Sequence, residues 1–94
     1  MHKFRKLQVW QKAIVFVSSI YAYSSSFPKY ELFGLTDQIR RAAVSVPLNI
    51  AEGSGGGSDK EFVCFLRMAQ RSLYEVITAI EIAMQLKYGI KEEK

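Results

Sequence analysis

The stretch QIRRAAVSVPLNIAEGSGGGS, residues 38–58, decides the fold. Its first half predicts an amphipathic helix, because apolar residues recur at spacings of three and four, the period of one helix face. These residues are Ile39, Ala42, Ala43, Val46 and Ile50. Pro47 removes a backbone donor and crowds the preceding turn, so we expect a bend there. Gly53 is expected to end the helix in the left-handed conformation, and the glycine–serine run predicts a turn between antiparallel helices.

Two further helices are predicted on either side of this stretch. Upstream, residues 5–24 carry two apolar stripes, a wider surface than one neighbouring helix covers, which indicates a central helix or a subunit interface. Downstream, a capping box of Ser58 and Glu61 begins a helix over residues 59–88 with a sustained heptad seam. The seam consists of Phe62, Leu66, Ala69, Leu73, Val76, Ile80 and Ala83.

These patterns predict a single all-α domain over residues 1–94, an antiparallel up-down bundle with helices near 5–24, 35–52 and 59–88. Residues 27–34 are expected to pack over one end of the bundle. Thr36 is the expected N-cap of the middle helix, and Gly89 the residue that ends the last one. Five side chains are predicted to be buried: Trp10, Ile39, Leu66, Ala69 and Leu73.

Length and composition constrain the class of protein. A chain of 94 residues that is 49% hydrophobic has enough apolar side chains for a core, yet so short a chain buries only a modest share of its surface. We therefore expect a homo-oligomer. The single cysteine, Cys64, suits a reducing compartment and is expected to be a small buried hydrophobe. No apolar run approaches the ~20 residues that span a bilayer, so we expect a cytoplasmic protein without membrane contact.

The net charge of +4 is concentrated at the start of the chain. Residues 1–30 contain five basic residues and no acid, whereas residues 31–94 contain eight basic and nine acidic residues. Such a basic segment is typical of a contact with phosphate groups, and a solvated terminus that aids solubility is the alternative. The candidate nucleic-acid-binding residues are Lys3, Arg5, Lys6, Lys12, Arg40 and Arg41.

A second set of cations lies on one flank of the last helix. Lys60, Arg67 and Arg71 recur there at helical spacing, with Tyr74 one turn beyond. Guanidinium groups beside an aromatic ring suit RNA contacts. The alternative is that acids such as Glu75 and Glu81 pair with these arginines, within one chain or between subunits.

The sequence offers little for enzyme chemistry. His2 is the only histidine, Cys64 has no histidine partner, and metal ligation requires more of both. Glu52, beside Asn49, is expected to hold the end of the middle helix, since spacing suggests no second converging carboxylate. The glycine-rich turn lacks the ending of a phosphate-binding loop. We therefore expect no catalytic residues, no metal and no cofactor.

The order Gln-Ile-Arg-Arg-Ala-Ala, Ser-Val-Pro and Asn-Ile-Ala-Glu-Gly in residues 38–53 resembles the small four-helix-bundle proteins encoded in intervening sequences of bacterial 23S ribosomal RNA genes. Leu7–Trp10, Phe27-Pro28 with Glu31, and residues 61–73 fit the same pattern. The family pattern continues into a fourth helix, so we expect that helix to be missing or reduced to Ile90–Lys94. The family is similar to the accessory protein of diversity-generating retroelements, a basic pentameric bundle that engages nucleic acid.

Two functions are therefore expected from the sequence. The first is a non-enzymatic, self-assembling bundle that binds structured RNA or other nucleic acid through basic residues, with a pentamer implied by the resemblance. The alternative is a homo-oligomeric scaffold or protein-interaction module without nucleic acid. The position of the charge favours the first, and the balanced charge of the later helices favours the second.

Overall fold

Three α-helices form the bundle in the computed structural model, which describes residues 3–90. They are α1 (Gln8–Ser24), α2 (Leu35–Ser54) and α3 (Asp59–Gln85), and short 3₁₀ helices span Lys3–Lys6 and Lys29–Glu31. The molecule measures 52 × 21 × 19 Å. The all-α prediction is confirmed, but the described residues form a three-helix bundle rather than a four-helix one. Of the expected remnant of a fourth helix, residues 91–94 lie outside the described part.

Helix α2 lies between the other two and supplies more buried residues than either of them. Its buried residues follow the predicted face and extend it: Leu35, Thr36, Ile39, Ala42, Ala43, Val46, Pro47, Ile50 and Gly53. Within residues 3–90, no Cα atom of α1 comes within 8 Å of one in α3. The two outer helices are thus separated by a groove, which is lined by apolar side chains such as Val9, Phe16, Leu66 and Leu73.

The core face of α3 is rotated from the predicted seam. Its fully packed residues are mostly small: Ala69, Ser72, Val76, Ala79 and Ala83. Small side chains allow the backbones of α2 and α3 to approach, so the contact centres on them. Leu66 and Leu73 lie at the edge, facing the groove, and are only half-buried. The predicted burial of Ile39 and Ala69 is confirmed, whereas that of Trp10, Leu66 and Leu73 is partial.

The predicted end of α2 at Gly53 is wrong. The helix continues to Ser54, and Gly55 follows with a right-handed φ of −87°. Gly53 is a buried residue within the helix, where a Cβ atom would lie 2.6 Å from Cβ of Phe65 in α3. The glycine is needed for the close approach of two helices rather than for chain reversal. Pro47 leaves α2 uninterrupted, and the Ser45 hydroxyl donates to the Ala42 carbonyl at 2.8 Å.

The start of α2 also differs from prediction. Thr36 is buried inside the helix and does not cap it. Instead, Oε1 of Glu31 accepts a hydrogen bond of 3.1 Å from the backbone N–H of Leu35. A carboxylate at this position also compensates the positive end of the helix dipole. In α3, by contrast, the predicted cap is confirmed, because Oγ of Ser58 accepts from the Glu61 N–H at 3.1 Å.

Helix α3 is terminated by a lysine in the left-handed backbone conformation, which glycine usually adopts. Lys87 has a φ of 63°, and its N–H donates to the Met84 carbonyl at 3.0 Å. The next residue, Tyr88, donates its N–H to the Ala83 carbonyl at 2.8 Å. This pair of bonds is the Schellman motif. The predicted terminator, Gly89, also has a positive φ of 77°, but it lies two residues beyond Lys87, the residue at which the helix is closed.

Candidate nucleic-acid interface

Four of the predicted nucleic-acid-binding residues lie near one end of the bundle. Lys3, Arg5 and Lys6 occupy the first 3₁₀ helix, and Lys12 lies on the first turns of α1, where it borders the α1–α3 groove. All four side chains are exposed. Among residues 3–90, none of these four cations has an acidic side chain within 4.0 Å, because the ion pair that the structure contains joins other residues. They form the N-terminal cationic cluster.

The backbone that carries this cluster is docked rather than free. The Phe4 ring packs edge-on against Trp10, with 5.1 Å between centroids, and both border an apolar groove with Val44 and Pro47. Nε2 of Gln11 donates to the carbonyl of Arg5 at 2.8 Å. The 3₁₀ helix is therefore held by a ring contact and a backbone carbonyl, while its charged side chains are exposed. The cluster holds its position without using its charges.

The cluster lies at an unfavourable place for the stability of α1. Leu7, the N-cap residue, provides no side-chain hydrogen bond, and the first turn of α1 contains no acid. The N-terminus of a helix carries the positive end of the dipole, which disfavours nearby cations, most strongly within the first turn. These cations therefore do not stabilise α1 through its dipole.

Arg40 lies apart from this cluster and makes contacts within the fold. Its Nε donates to Oγ of Ser24 at 2.8 Å, and its guanidinium lies 4.7 Å from the centre of the Tyr21 ring. Ser24 is buried and in turn donates to the Ile20 carbonyl at 2.7 Å. Arg40 therefore joins the end of α1 to α2, and only part of its surface remains for a ligand.

Arg41 points to solvent, and its Nε lies 3.1 Å from Oδ2 of Asp37, one turn earlier. The arginine side chain is 80% exposed, and exposed i,i+4 pairs contribute about 0.3–0.5 kcal/mol. So weak a pair leaves the guanidinium available to a phosphate. The structure therefore does not bring Arg40 and Arg41 into one cluster with the N-terminal cations.

The second cationic flank lies on the outer surface of α3. Lys60, Arg67 and Arg71 border a shallow groove of 510 Å³ with Val63, Cys64 and Met68. All three cations are exposed and unpaired within the described residues, and so are Glu75 and Glu81 further along the helix. Cys64 is exposed as well, so its predicted burial is wrong.

The end of the bundle far from the N-terminal cluster is held by a group that sequence analysis missed. The Tyr88 hydroxyl donates to Oε2 of Glu31 at 3.0 Å and lies 3.2 Å from the Tyr30 hydroxyl. Hydrogen bonding with Tyr30, followed by burial and by Glu31, raises the pKa of Tyr88 well above its ordinary value. Glu31 thus ties the linker and α2 to the end of α3. In the sequence, the one indication of this role was that Glu31 lies four residues before Leu35.

The expected role of Glu52 at the end of α2 is not seen within residues 3–90. Glu52 is exposed and makes no side-chain hydrogen bond there, while Nδ2 of Asn49 donates to the Ser45 carbonyl at 2.8 Å within α2. Among residues 3–90 there is no cluster of three or more histidine, cysteine or acidic side chains suited to a metal ion. None of the described helices has the length and apolar character needed to cross a membrane.

Comparison with known families adds one finding. The family model for the 23S rRNA-intervening sequence protein matches residues 5–94. The chain belongs to this family. The match includes most of the N-terminal cluster and all three helices, and the block that resembles the family, residues 38–53, forms the central helix α2. A search of curated proteins found no significant match.

Proposed function

We propose that this member of the 23S rRNA-intervening sequence protein family is a non-enzymatic, self-assembling bundle that binds structured RNA or other nucleic acid. The N-terminal cationic cluster, Lys3, Arg5, Lys6 and Lys12, provides the main contact, and Arg41 adds to it. Arg40 acts mainly by positioning α1 against α2. No cofactor takes part, and the partners are copies of the chain itself and nucleic acid.

The proposal rests mainly on the unpaired cations of the first 3₁₀ helix, which packs against α1. Contacts of Phe4 and of the Arg5 carbonyl hold the first 3₁₀ helix, so the backbone that carries Lys3, Arg5 and Lys6 is held in place before any ligand arrives. Their position near the N-terminus of α1 does not stabilise that helix through its dipole. A cluster of unpaired cations that does not stabilise the helix beside it suits an anionic ligand. Contacts of lysine and arginine with phosphates supply most of the non-specific affinity for nucleic acid.

Self-assembly is supported by the apolar side chains that the single chain leaves in solvent. Phe33, in the linker, is 93% exposed, and Val15, Leu48 and Ile77 are each more than half exposed. These side chains lie on the linker and on all three helices, and exposed apolar surface of this kind is available for contacts between copies of the chain. An assembly also multiplies a small charge per chain into a larger positive surface, so that weak contacts act together.

The same exposed side chains favour a second candidate, a homo-oligomeric scaffold that binds no nucleic acid. Under this alternative the N-terminal cations only aid solubility. The two candidates differ in one measurable property. Binding through phosphates releases counterions, so the affinity for RNA falls steeply with salt and depends little on base sequence.

The test is a titration of fluorescently labelled hairpin RNA with the full chain at 50 mM and 200 mM salt. Two double variants are compared: Arg5→Glu with Lys6→Glu, and, as a matched control, Lys29→Glu with Lys87→Glu at the other end of the bundle. Each double variant has formal net charge 0. Replacement at the N-terminal cluster weakens binding more than tenfold, while the control weakens it less, because the contacts are local.

Thermal unfolding of the same variants separates binding from stability. Glutamates near the N-terminus of α1 complement the helix dipole, so the Arg5 and Lys6 replacements leave the midpoint unchanged or raise it. Equal affinity of both double variants assigns binding to net charge alone. Absence of binding to RNA and DNA at 50 mM salt replaces this proposal with the scaffold.

A further inference from the structure

The outer face of α3 carries cations to which the proposed function gives no role. Lys60, Arg67 and Arg71 are exposed, and none of them has an acidic side chain within 4.0 Å among residues 3–90. They border the groove of 510 Å³ on that face, together with Val63 and Met68. We call these three cations the α3 cationic row. Because no ion pair in the described chain uses their charges, the charges are available to a ligand.

The geometry of a helix places Tyr74 at one end of this row. Lys60, Arg67 and Tyr74 are spaced by seven residues, and Arg71 lies one turn from Arg67, so the four positions fall within about 60° around the helix axis. The row extends about 21 Å from Lys60 to Tyr74, and its two arginines are about 6 Å apart along the axis. Tyr74 is 57% exposed. Three cations and an aromatic ring thus follow one another along one side of the helix.

Acidic residues of α3 lie beside the two ends of the row. Glu75 is exposed but does not pair with Arg71, because an i,i+4 pair is less favourable when the cation precedes the acid. At the other end, Asp59 and Glu61 belong to the first turn of α3. The Glu61 carboxylate lies against the glycine-rich turn, since a Cβ on Gly56 would be 2.5 Å from its carboxyl carbon. These acids limit the length of an anionic ligand without neutralising the cations between them.

We propose that the α3 cationic row is a binding site for single-stranded nucleic acid, with backbone phosphates on Lys60, Arg67 and Arg71 and a base stacked on Tyr74. The inference rests on the proposed function, because it takes the chain to be one that engages nucleic acid. It adds a second site and a second class of ligand, an unpaired strand. The N-terminal cationic cluster, by contrast, binds the hairpin.

An unpaired strand fits this face better than a duplex or an acidic peptide does. In a duplex the bases stack on one another, so a duplex offers phosphates but no base face to Tyr74. An unpaired strand offers both, and proteins that bind such strands combine a cationic groove with aromatic rings. Val63 and Met68 make part of the groove apolar, which suits the faces of bases. An acidic peptide would use the cations alone and leave the aligned ring without a role.

The first experiment uses Cys64 as a reporter that the groove already contains. Its thiol is exposed, and the residue borders the groove beside the row. The wild-type chain is alkylated with iodoacetamide at low salt, alone and with an oligouridine of about eight nucleotides, a length within the range of single-strand-binding sites. Mass spectrometry gives the rate. The bound strand slows the alkylation of Cys64, whereas polyglutamate at the same concentration of charge does not.

The second experiment measures the phosphate contacts with two double variants that each remove two positive charges. Arg67→Gln with Arg71→Gln changes the row, and Lys29→Gln with Lys87→Gln, at the other end of the bundle, is the matched control. Each phosphate contact with a single strand contributes about 0.7 to the slope of log affinity against log salt. The row variant therefore reduces the slope for oligouridine by about 1.4, and the control leaves it unchanged. Circular dichroism checks that both variants remain helical.

The third experiment tests the stacking contact with two replacements of one residue. Tyr74→Phe keeps the ring and binds oligouridine within about twofold of the wild type, whereas Tyr74→Ala binds it at least about fivefold more weakly, the lower end of what one stacked base contributes. Both variants bind hairpin RNA as the wild type does, because that ligand uses the N-terminal cationic cluster.

Each result supports or overturns the site. The inference is wrong if the two double variants lose the same slope, or if Tyr74→Ala binds oligouridine as well as Tyr74→Phe does. Failure of Cys64 to react in the free protein shows that the face is covered, and protection by polyglutamate assigns the groove to acidic polypeptides; either result also overturns it. Hairpin binding without oligouridine binding removes this site and leaves the proposed function in place. Absence of binding to both RNAs overturns the proposed function as well.

Discussion

Gly53→Ala tests the packing of α2 against α3 in the most sensitive place. Gly53 is buried within α2, and the added Cβ would lie 2.6 Å from Cβ of Phe65 and 3.1 Å from a ring carbon of Phe62. The nearer atom is attached directly to the backbone of α3, so a change of rotamer does not relieve the contact. One helix must shift to accept a single methyl group.

The expected magnitude is a balance of two effects. Alanine is favoured over glycine inside a helix by about 1 kcal/mol. Overpacking a well-packed contact costs about 1–3 kcal/mol. The net result is a loss of up to about 2 kcal/mol. Gly55→Ala is the matched control, since it makes the same change two residues later, where the nearest atoms lie 3.7 Å away and φ is −87°. It is expected to be neutral or stabilising by up to about 1 kcal/mol.

Urea unfolding of both variants and the wild type, followed by circular dichroism, measures this difference. The protein concentration must be held fixed, because self-association adds to apparent stability. The reasoning is refuted if Gly53→Ala stabilises the protein as much as Gly55→Ala does. That result would mean that Gly53 serves as an ordinary helical residue without close contact to α3.

Three further predictions follow from contacts at the other end of the bundle. Arg40→Ala should lower the free energy of unfolding by about 1–3 kcal/mol, because the bond to Ser24 and the contact with an aromatic ring are lost. The affinity for hairpin RNA should stay within about twofold of the wild type. Unchanged stability with weaker RNA binding would contradict this prediction. Lys87→Gly should stabilise by about 1 kcal/mol in urea unfolding, since glycine adopts the left-handed conformation freely; destabilisation would show that the lysine side chain matters. The raised pKa of Tyr88 means that the folded chain retains a proton that the unfolded chain loses, so stability should fall as pH rises above about 10. Tyr88→Phe should reduce that slope in chemical unfolding at several pH values, and an unchanged slope would show that the fold does not raise the pKa of Tyr88.

The helices were predictable because periodicity is a local property of sequence. The apolar spacing around Ile39 indicated the buried face of α2, and the Ser58–Glu61 capping box located the start of α3. Periodicity does not specify how closely two helices approach. The role of Gly53 therefore came from the position of Phe65, a residue of another helix.

The candidate site was predictable only in part. The charge asymmetry pointed to Lys3, Arg5 and Lys6, and the structure leaves them exposed. Arg40 looked equivalent to Arg41, because sequence places both outside the apolar face of α2. Its role depends on Ser24, sixteen residues away, and such a contact is set by how the helices pack. The same holds for Glu31 and Tyr88, which are far apart in sequence.

The most direct measurement for the central claim is sedimentation velocity of the wild-type chain with labelled hairpin RNA, recorded at 50 mM and 200 mM salt. We expect a species of several chains at both salt concentrations, and RNA that sediments with it at 50 mM and is largely released at 200 mM. A 10.7 kDa monomer with free RNA at both concentrations would contradict it.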